Sequence, residues 1–545
     1  MADTGAVDGA TLEVVRATLL SVAEEMRTTL MRTAFSPVIY EVRDFGISIY
    51  DRNLDLITEA PGLTRFLGAN DYAVRKVIDF VRVDRLAPGD VVLSNYPYWN
   101  AAHTYDATLI APVFSDAGDL PVAYLCIRAH WLDLGAKDPG YVLDSTDMHQ
   151  EGLVFPGTKL VKAGRLDQEL VDIIRFNSRM PDAVMGDVNA QLAALATGQR
   201  RMQAVLQRFG PDRLRQATDA LLAYGERITA RGLADLPQGE WHAVDWLDDD
   251  GIGDVPIRMA VTVRHRDGRF EVDFDGSAPA AKGPVNLPFG STLATAKVAF
   301  KALTSPFEPT NGGQMRALSV KAAPGTLFHA VYPAPTFTQW TGIVALELIF
   351  KALAQAMPER IQACSGGDVP GFMMIGTHPD SGRAYAISNN ESVGWGATVR
   401  HDGRLAGSHL AQSVVRNTPV EVLESRTAMR MDRLELRPGS FGSGRFRGGP
   451  GLRRDIVFTA DGEFLTVAKK TRTRPWGLAG GGEPEPTTVV LFPGTNRERR
   501  VGTARTEVQA GDRIAVLTAG GAGYGDPADR EARAEREDRL DGLLV

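Results

Sequence analysis

The sequence predicts an α+β fold, with mixed sheets and packed helices in the N-terminal half and a β-rich, glycine-rich region towards the C-terminus. Three observations carry that expectation. Apolar residues recur at helical spacing near the N-terminus and again over residues 165–235, short apolar runs bounded by turn formers lie between and after them, and glycine becomes frequent past residue 380. A chain of 545 residues can bury a large core and, at roughly 100 to 200 residues per domain, is expected to form about three or four lobes.

Leu12, Val15, Leu19, Val22, Met26 and Leu30 step along one helical face, so residues 11–35 are predicted as a single amphipathic helix. Beyond Asp44, Phe45, Ile47 and Ile49 alternate with small or polar residues and lead into the turn-rich "DRNLD", which predicts a hairpin. Residues 106–114 and 121–129 are apolar runs separated by "SDAGD", and a second hairpin is predicted with its turn near Gly118. Equal steps away from that turn bring Asp106 opposite or beside His130.

Residues 165–235 read as helical, with a boundary expected near 235–250. Then "IRMAVTVRHRDGRFEVDFDGS" predicts a hairpin about Asp267 and Gly268, and "STLATAKVAFKALTS" and "ALELIFKALAQAMP" predict two helices. "RLELRP", "RRDIVFTA" and "FLTVAKK" are predicted strands, and "ADREARAEREDRLDGLLV" is predicted as a solvated helix. The expected division is an α+β domain over 1–240, a central α/β region over 241–380, a β-rich region over 381–525 and a charged tail over 526–545.

Charge and composition narrow the function. The net charge is −7 and the arginines are scattered, so no nucleic-acid footprint is present. No apolar run approaches the roughly 20 residues of a membrane span, and "MADTGAVDGA" lacks the basic and apolar regions of a signal peptide. With only Cys126 and Cys364 there is no disulfide framework, and a cytoplasmic location is expected.

His103, His130 and His149 fall close together in sequence, beside Asp106, Asp133 and Glu151. A lone His-x-x-Asp is most often a polar turn in which Asp caps backbone amides. Pairing of Asp106 with His130 changes the balance, because two imidazoles and one or two carboxylates at neighbouring strand ends make a mixed N/O site. Such a site suits Zn²⁺, Mn²⁺ or Fe²⁺ and is too nitrogen-rich for Mg²⁺ or Ca²⁺. The ion would lower the pKa of a bound water towards about 7 or polarise a carbonyl.

The segments "EVRDFGISIYD", "LAPGDVVLSNYPYWNAAHTYDATLIAPVF", "RAHWLDLGAKDPG", "HQEGLVFPGTKL", "RNTPVEVLE", "GSGRFRGGPGLRRDI", "PWGLAGG" and "GGAGYGDP" occur in order over nearly the whole chain. Together they resemble the hydantoinase B/5-oxoprolinase family. The resemblance implies the metal-bearing subunit of an ATP-dependent enzyme that opens cyclic amides such as hydantoins, oxoproline or lactams. It also implies the metal ligands Asp44, His103, Asp106 and His130. The related alternative is a subunit of an acetone or acetophenone carboxylase, and the non-enzymatic alternative is a metal-stabilised scaffold.

No GxxxxGK[ST] loop is present, so ATP is expected to bind elsewhere. The resemblance implies that ATP and Mg²⁺ sit on a separate hydantoinase A-like chain that phosphorylates the small-molecule substrate within a hetero-oligomer. Departures from the family pattern alter the pocket: Tyr96 replaces an acid, Ala101 and Ala102 replace two glycines, and Trp131 replaces a second histidine. Asp133 and Glu151 are candidates for a general base or for a carboxylate that receives the second N–H of a metal-bound imidazole, while His149 is expected to lie outside the ligand set.

Overall fold

A computed structural model describes residues 7–116, 120–412 and 415–544. The predicted turn centre at Gly118 and the first residues of "MADTGAVDGA" lie outside them. The fold is α+β. Its first sheet has seven antiparallel strands, β1 (Phe45–Asp51), β2 (Leu56–Ala60), β3 (Val91–Ser94), β4 (Asp106–Phe114), β5 (Pro121–His130), β6 (Thr158–Lys162) and β7 (Arg165–Leu166), in the order β2-β1-β5-β4-β3-β6-β7.

Both faces of this sheet are covered, which is why β4 reads as an unbroken apolar run rather than an alternation. Odd-numbered residues such as Ile47, Leu109, Leu125 and Ile127 pack beneath the helices Gly9–Thr33 and Pro181–Phe209 through Leu19, Met26, Val188 and Leu195. Even-numbered residues such as Tyr50, Ile110, Tyr124 and Cys126 meet the helix Thr64–Val81 through Val74 and Ile78. Side-chain alternation along β5 therefore sends His130 towards the second face and Trp131 towards the first. Trp131 is fully buried and its indole N–H donates to Gln191 at 2.6 Å.

The predicted first helix spans Gly9–Thr33, with the Asp8 carboxylate capping the Thr11 amide. Residues 165–235 differ from a continuous helical stretch. Arg165–Leu166 is a strand, followed by the helices Gln168–Phe176, Pro181–Phe209 and Pro211–Ala234. The breaks fall where Pro181 and Pro211 start new helices, because proline is favoured at the first helical turn and disrupts an interior.

The second sheet joins Gly239–Leu247, Ile257–Arg266, Arg269–Asp273 and Leu318–Lys321, the last two running parallel. Its predicted hairpin turns at Asp267 and Gly268, with φ of 51° and 69°. The predicted helices, Phe289–Thr304 and Trp340–Leu353, pack on it through Phe300, Ile343 and Leu348 against Val261 and Phe270. Two antiparallel sheets of four and five strands make up the glycine-rich region and share a core that includes Met374, Ile456, Phe464 and Ile514. Glycine is sterically required there: a Cβ at Gly448 would strike the Gly521 carbonyl.

The tail helix Ala532–Leu540 is anchored rather than simply solvated. Asp538 is buried, and its carboxylate receives Arg447 at 2.7 Å and Arg530 at 2.5 Å. Among the described residues no helix is long and apolar enough to cross a membrane.

Candidate metal centre

The register places Asp106 directly opposite His130, as equal steps from the turn predict. On the other side of β5, Phe45 pairs with Ala129, and the His130 amide donates to the Asp44 carbonyl at 3.2 Å. Asp44, His130 and Asp106 thus stand side by side at the ends of three adjacent strands. His103 reaches the group from the turn before β4, because the Asp106 amide closes that turn on the His103 carbonyl at 3.1 Å.

Asp106 bridges the two imidazoles, with Oδ2 3.4 Å from His103 Nε2 and Oδ1 3.3 Å from His130 Nδ1. Ligand atoms of these three buried residues all lie within 4.8 Å of one another, which is the spacing of a cation site. Asp44 lines the same pocket, and its Oδ1 is buried without a hydrogen-bond partner, as is His103 Nδ1. Buried polar atoms are nearly always paired, so two orphans beside a mixed N/O donor set are what an ion-binding site leaves behind when considered as protein alone.

The electrostatics of the protein groups differ among the four, and His103 and Asp106 are the two held in their ligating forms. Burial holds the His103 imidazole down at about 3, keeping it neutral and able to donate a lone pair. Burial pushes Asp44 up to about 7, and the like charge of Asp106 adds to it. Asp106 is held below the usual carboxylate range despite burial, by His103, His130 and Arg128. His130 is raised despite burial, by its hydrogen bond to Asp106 and the charges of Asp44 and Asp106.

Glu151 and Asp133 stand apart from these four. Glu151 Oε1 accepts Ser145 at 2.8 Å and the backbone amides of Thr336 and Phe337 at 2.8 and 3.0 Å, and burial pushes its carboxyl up to about 8. Phe337, so held, stacks on His103. Asp133 receives both the amide and the guanidinium of Arg179 and, at 3.0 Å, the Tyr105 hydroxyl. Both carboxylates therefore brace the walls of the site. His149 is exposed and pairs with the Tyr332 hydroxyl at 2.9 Å.

The pocket, of about 90 Å³, also draws on residues that sequence reasoning missed. Arg65 enters from the helix Thr64–Val81, with Nη2 on Gln339 Oε1 at 3.1 Å and Nε buried without a partner. Gln339 precedes the helix Trp340–Leu353 in a left-handed conformation, φ 52°. Ser388, Asn390 and Thr466 come from the glycine-rich half. The only sequence signal for Arg65 was a cation near the start of an amphipathic helix.

Known proteins resemble this chain in sequence and in fold. A family model described as Hydantoinase B/oxoprolinase matches residues 8–527. The B component of a putative D-/L-hydantoinase from Pseudomonas sp. (strain NS671) is 29% identical over 572 residues, covering 100% of this chain and 94% of that protein. The crystal structure of the ATP-dependent caprolactamase from Pseudomonas jessenii superposes with a TM-score of 0.91 at 27% identity, covering 99% of this chain and 95% of that one. A nucleotide-free acetone carboxylase structure shares the fold, with a TM-score of 0.88 at 17% identity over 98% of this chain and 78% of that one.

Proposed function

Because this chain belongs to the hydantoinase B/oxoprolinase family, whose members include subunits of ATP-dependent cyclic-amide hydrolases, we propose that it is the metal-bearing subunit of such an enzyme. The observation that carries the proposal is the convergence of His103, Asp106 and His130 in a pocket that also holds the unpartnered Asp44 oxygen.

In this reading Asp44, His103, Asp106 and His130 hold one divalent transition ion, Zn²⁺, Mn²⁺ or Fe²⁺. When bound, the ion supplies Lewis-acid activation of a carbonyl or of water. Phe337, fastened by Glu151, keeps the His103 ring in place, and Asp133 does the same for the loop that carries Tyr105. Arg65 lines the pocket and its buried Nε–H has no partner, so its guanidinium is the group to receive a phosphoryl oxygen. An amide oxygen is a poor leaving group until it is phosphorylated. That phosphoryl group is assigned to a hydantoinase A-like partner chain carrying ATP and Mg²⁺, in keeping with relatives that are named as single components of larger enzymes.

Hydrolysis is favoured over carboxylation because the likeness to the caprolactamase extends to 27% identity, whereas the acetone carboxylase shares the fold alone. Co-purification with the partner chain and assay against a panel of lactams, hydantoins and ketones tests both. ATP turnover that opens a cyclic amide without bicarbonate is expected. Turnover that requires a ketone and bicarbonate assigns the chain to the carboxylases, and turnover with no substrate from the panel returns it to a scaffold role.

A further inference from the structure

Behind the helix Thr64–Val81 lies a second cavity, of about 560 Å³, which shares no lining residue with the pocket of the histidine cluster. The helix is the partition. Arg65 and Phe66 face the cluster, whereas Thr64, Gly68 and Asp71 follow the i, i+4, i+7 stripe that faces the cavity. Gly68 lets this helix press against the helix Phe289–Thr304, since a Cβ there would sit 3.1 Å from Ala294 Cα. Lys297 and Lys301, one turn apart on that second helix, enter the cavity beside each other.

The polar groups are few, and their hydrogen-bonding capacity is only partly used. Lys297 is taken up by Asp71 at 2.7 Å and the Gly68 carbonyl at 3.3 Å. Lys301 donates to the carbonyls of Ser305 and Glu308 at 2.6 and 2.7 Å, and an ammonium has three N–H donors. Glu59 Oε2 is buried with no hydrogen-bond partner, and Glu59 and Lys301 lie near enough for each to feel the other's charge. Burial, with Asp71 adding to it, pushes the Glu59 carboxyl up to about 7 against the opposing hydrogen bond from Thr310. The remaining wall is largely apolar, with Val298, Leu303, Met315, Phe350 and Ile361.

A purely structural void of this kind is costly. An unpaired buried carboxylate oxygen carries its full desolvation penalty, whereas an apolar residue of similar size would carry none. The volume lies within the range of small-molecule sites, and the exposed Ala302, Pro306 and Arg360 give it a mouth.

We propose that this cavity binds a small amphipathic molecule bearing both an N–H donor and a carbonyl or carboxylate oxygen, an amide or an amino acid. The N–H meets the Glu59 carboxylate, the oxygen meets the remaining N–H of Lys301, and the hydrocarbon body lies against the apolar wall. The inference stands independently of the metal site.

Calorimetric titration of the full chain with 2-piperidone and with 5-aminopentanoate tests it, alongside Glu59→Gln, Lys301→Met, Ala302→Trp and His103→Ala. Binding of at least one compound is expected, weakened about tenfold or more by Glu59→Gln and by Lys301→Met, as for loss of a hydrogen bond to a charged group. Binding should be blocked by Ala302→Trp, which obstructs the exposed mouth without touching the core, and left intact by His103→Ala. Binding of the lactam alone assigns an amide ligand, and binding of 5-aminopentanoate alone assigns an amino acid. If the folded wild-type chain binds neither compound, or if binding disappears with His103→Ala and survives Glu59→Gln, the inference is overturned.

Discussion

Phe337 lies flat on His103, with ring centroids 4.6 Å apart and planes inclined by 11°. Its backbone amide is held by Glu151, and the Tyr105 ring abuts its edge at 5.0 Å. The orientation of one candidate ligand is thus set by a loop remote in sequence. Phe337→Leu, which keeps the site apolar and removes the stack, is expected to weaken metal affinity about tenfold while the fold survives. Competition with a chromogenic chelator measures this, and an unchanged affinity would show that the stack does not position His103.

Arg65 offers an independent check on the chemistry. Its guanidinium lines the cluster pocket and is engaged by Gln339. Arg65→Met should leave metal content intact and lower kcat/KM of the partner-dependent reaction by about 100-fold or more, the scale seen when a donor to developing charge is removed. Loss of metal in this variant, with turnover per bound ion preserved, would make Arg65 a structural residue.

A pH signature is expected from Asp187, on the helix Pro181–Phe209. Burial pushes its carboxyl up to about 6, although the amides of Phe35 and Ser36 donate to it at 2.8 and 3.0 Å. The folded value lies above the unfolded one, so the native state binds the extra proton between about pH 4 and 6. Stability from this group is present below that window and lost as pH rises through it. Asp187→Asn should therefore flatten the decline in Tm between pH 4 and 6 relative to the wild type. Parallel curves for the two proteins would refute the assignment.

Much of this architecture could be read from residues alone, and the limits are physical. The Asp106–His130 register was legible because β4 and β5 are largely apolar runs at equal distances in sequence from Gly118. The strand Gly239–Leu247 was not, because its inward Asp245 stands where alternation calls for an apolar residue and binds Lys470 at 2.6 Å instead. Carboxylates near histidines were visible at Asp133 and Glu151. That Arg179 and backbone amides occupy their oxygens depends on contacts between distant segments. Asn390 and Thr466 reach the pocket only once the glycine-rich sheets pack on the first half.

The tail supplies a stability test. Asp538 shares Arg447 and Arg530 with Asp402, and the side chains of Asp538 and both arginines are 12% exposed or less. Removing one partner of a buried ion network leaves uncompensated charge, a loss of about 3 to 5 kcal/mol. Asp538→Ala should lower Tm and expose the tail to limited proteolysis, whereas Arg533→Ala, which loses only a surface pair with Glu537, should do neither. Equal Tm values for the two variants would show that the tail contributes nothing to the fold.

The metal site itself is tested by which histidine empties it. His103 and Asp106 flank one turn, Asp106 is opposite His130, and the three converge within 4.8 Å. His149 lies exposed against Tyr332 and touches none of them. His103→Ala and Asp106→Ala should each weaken metal binding by more than the 10- to 100-fold typical of residues that only orient a ligand, and abolish partner-dependent turnover. His149→Ala should retain both. Asp44→Asn separates direct ligation from charge balance, because it keeps the shape of the side chain while removing the anionic oxygen. If Asp44 ligates, metal content should fall in this variant too. Elemental analysis of the four variants, with circular dichroism to confirm folding, decides the matter. A full site in His103→Ala together with an empty one in His149→Ala would overturn the strand-end assignment.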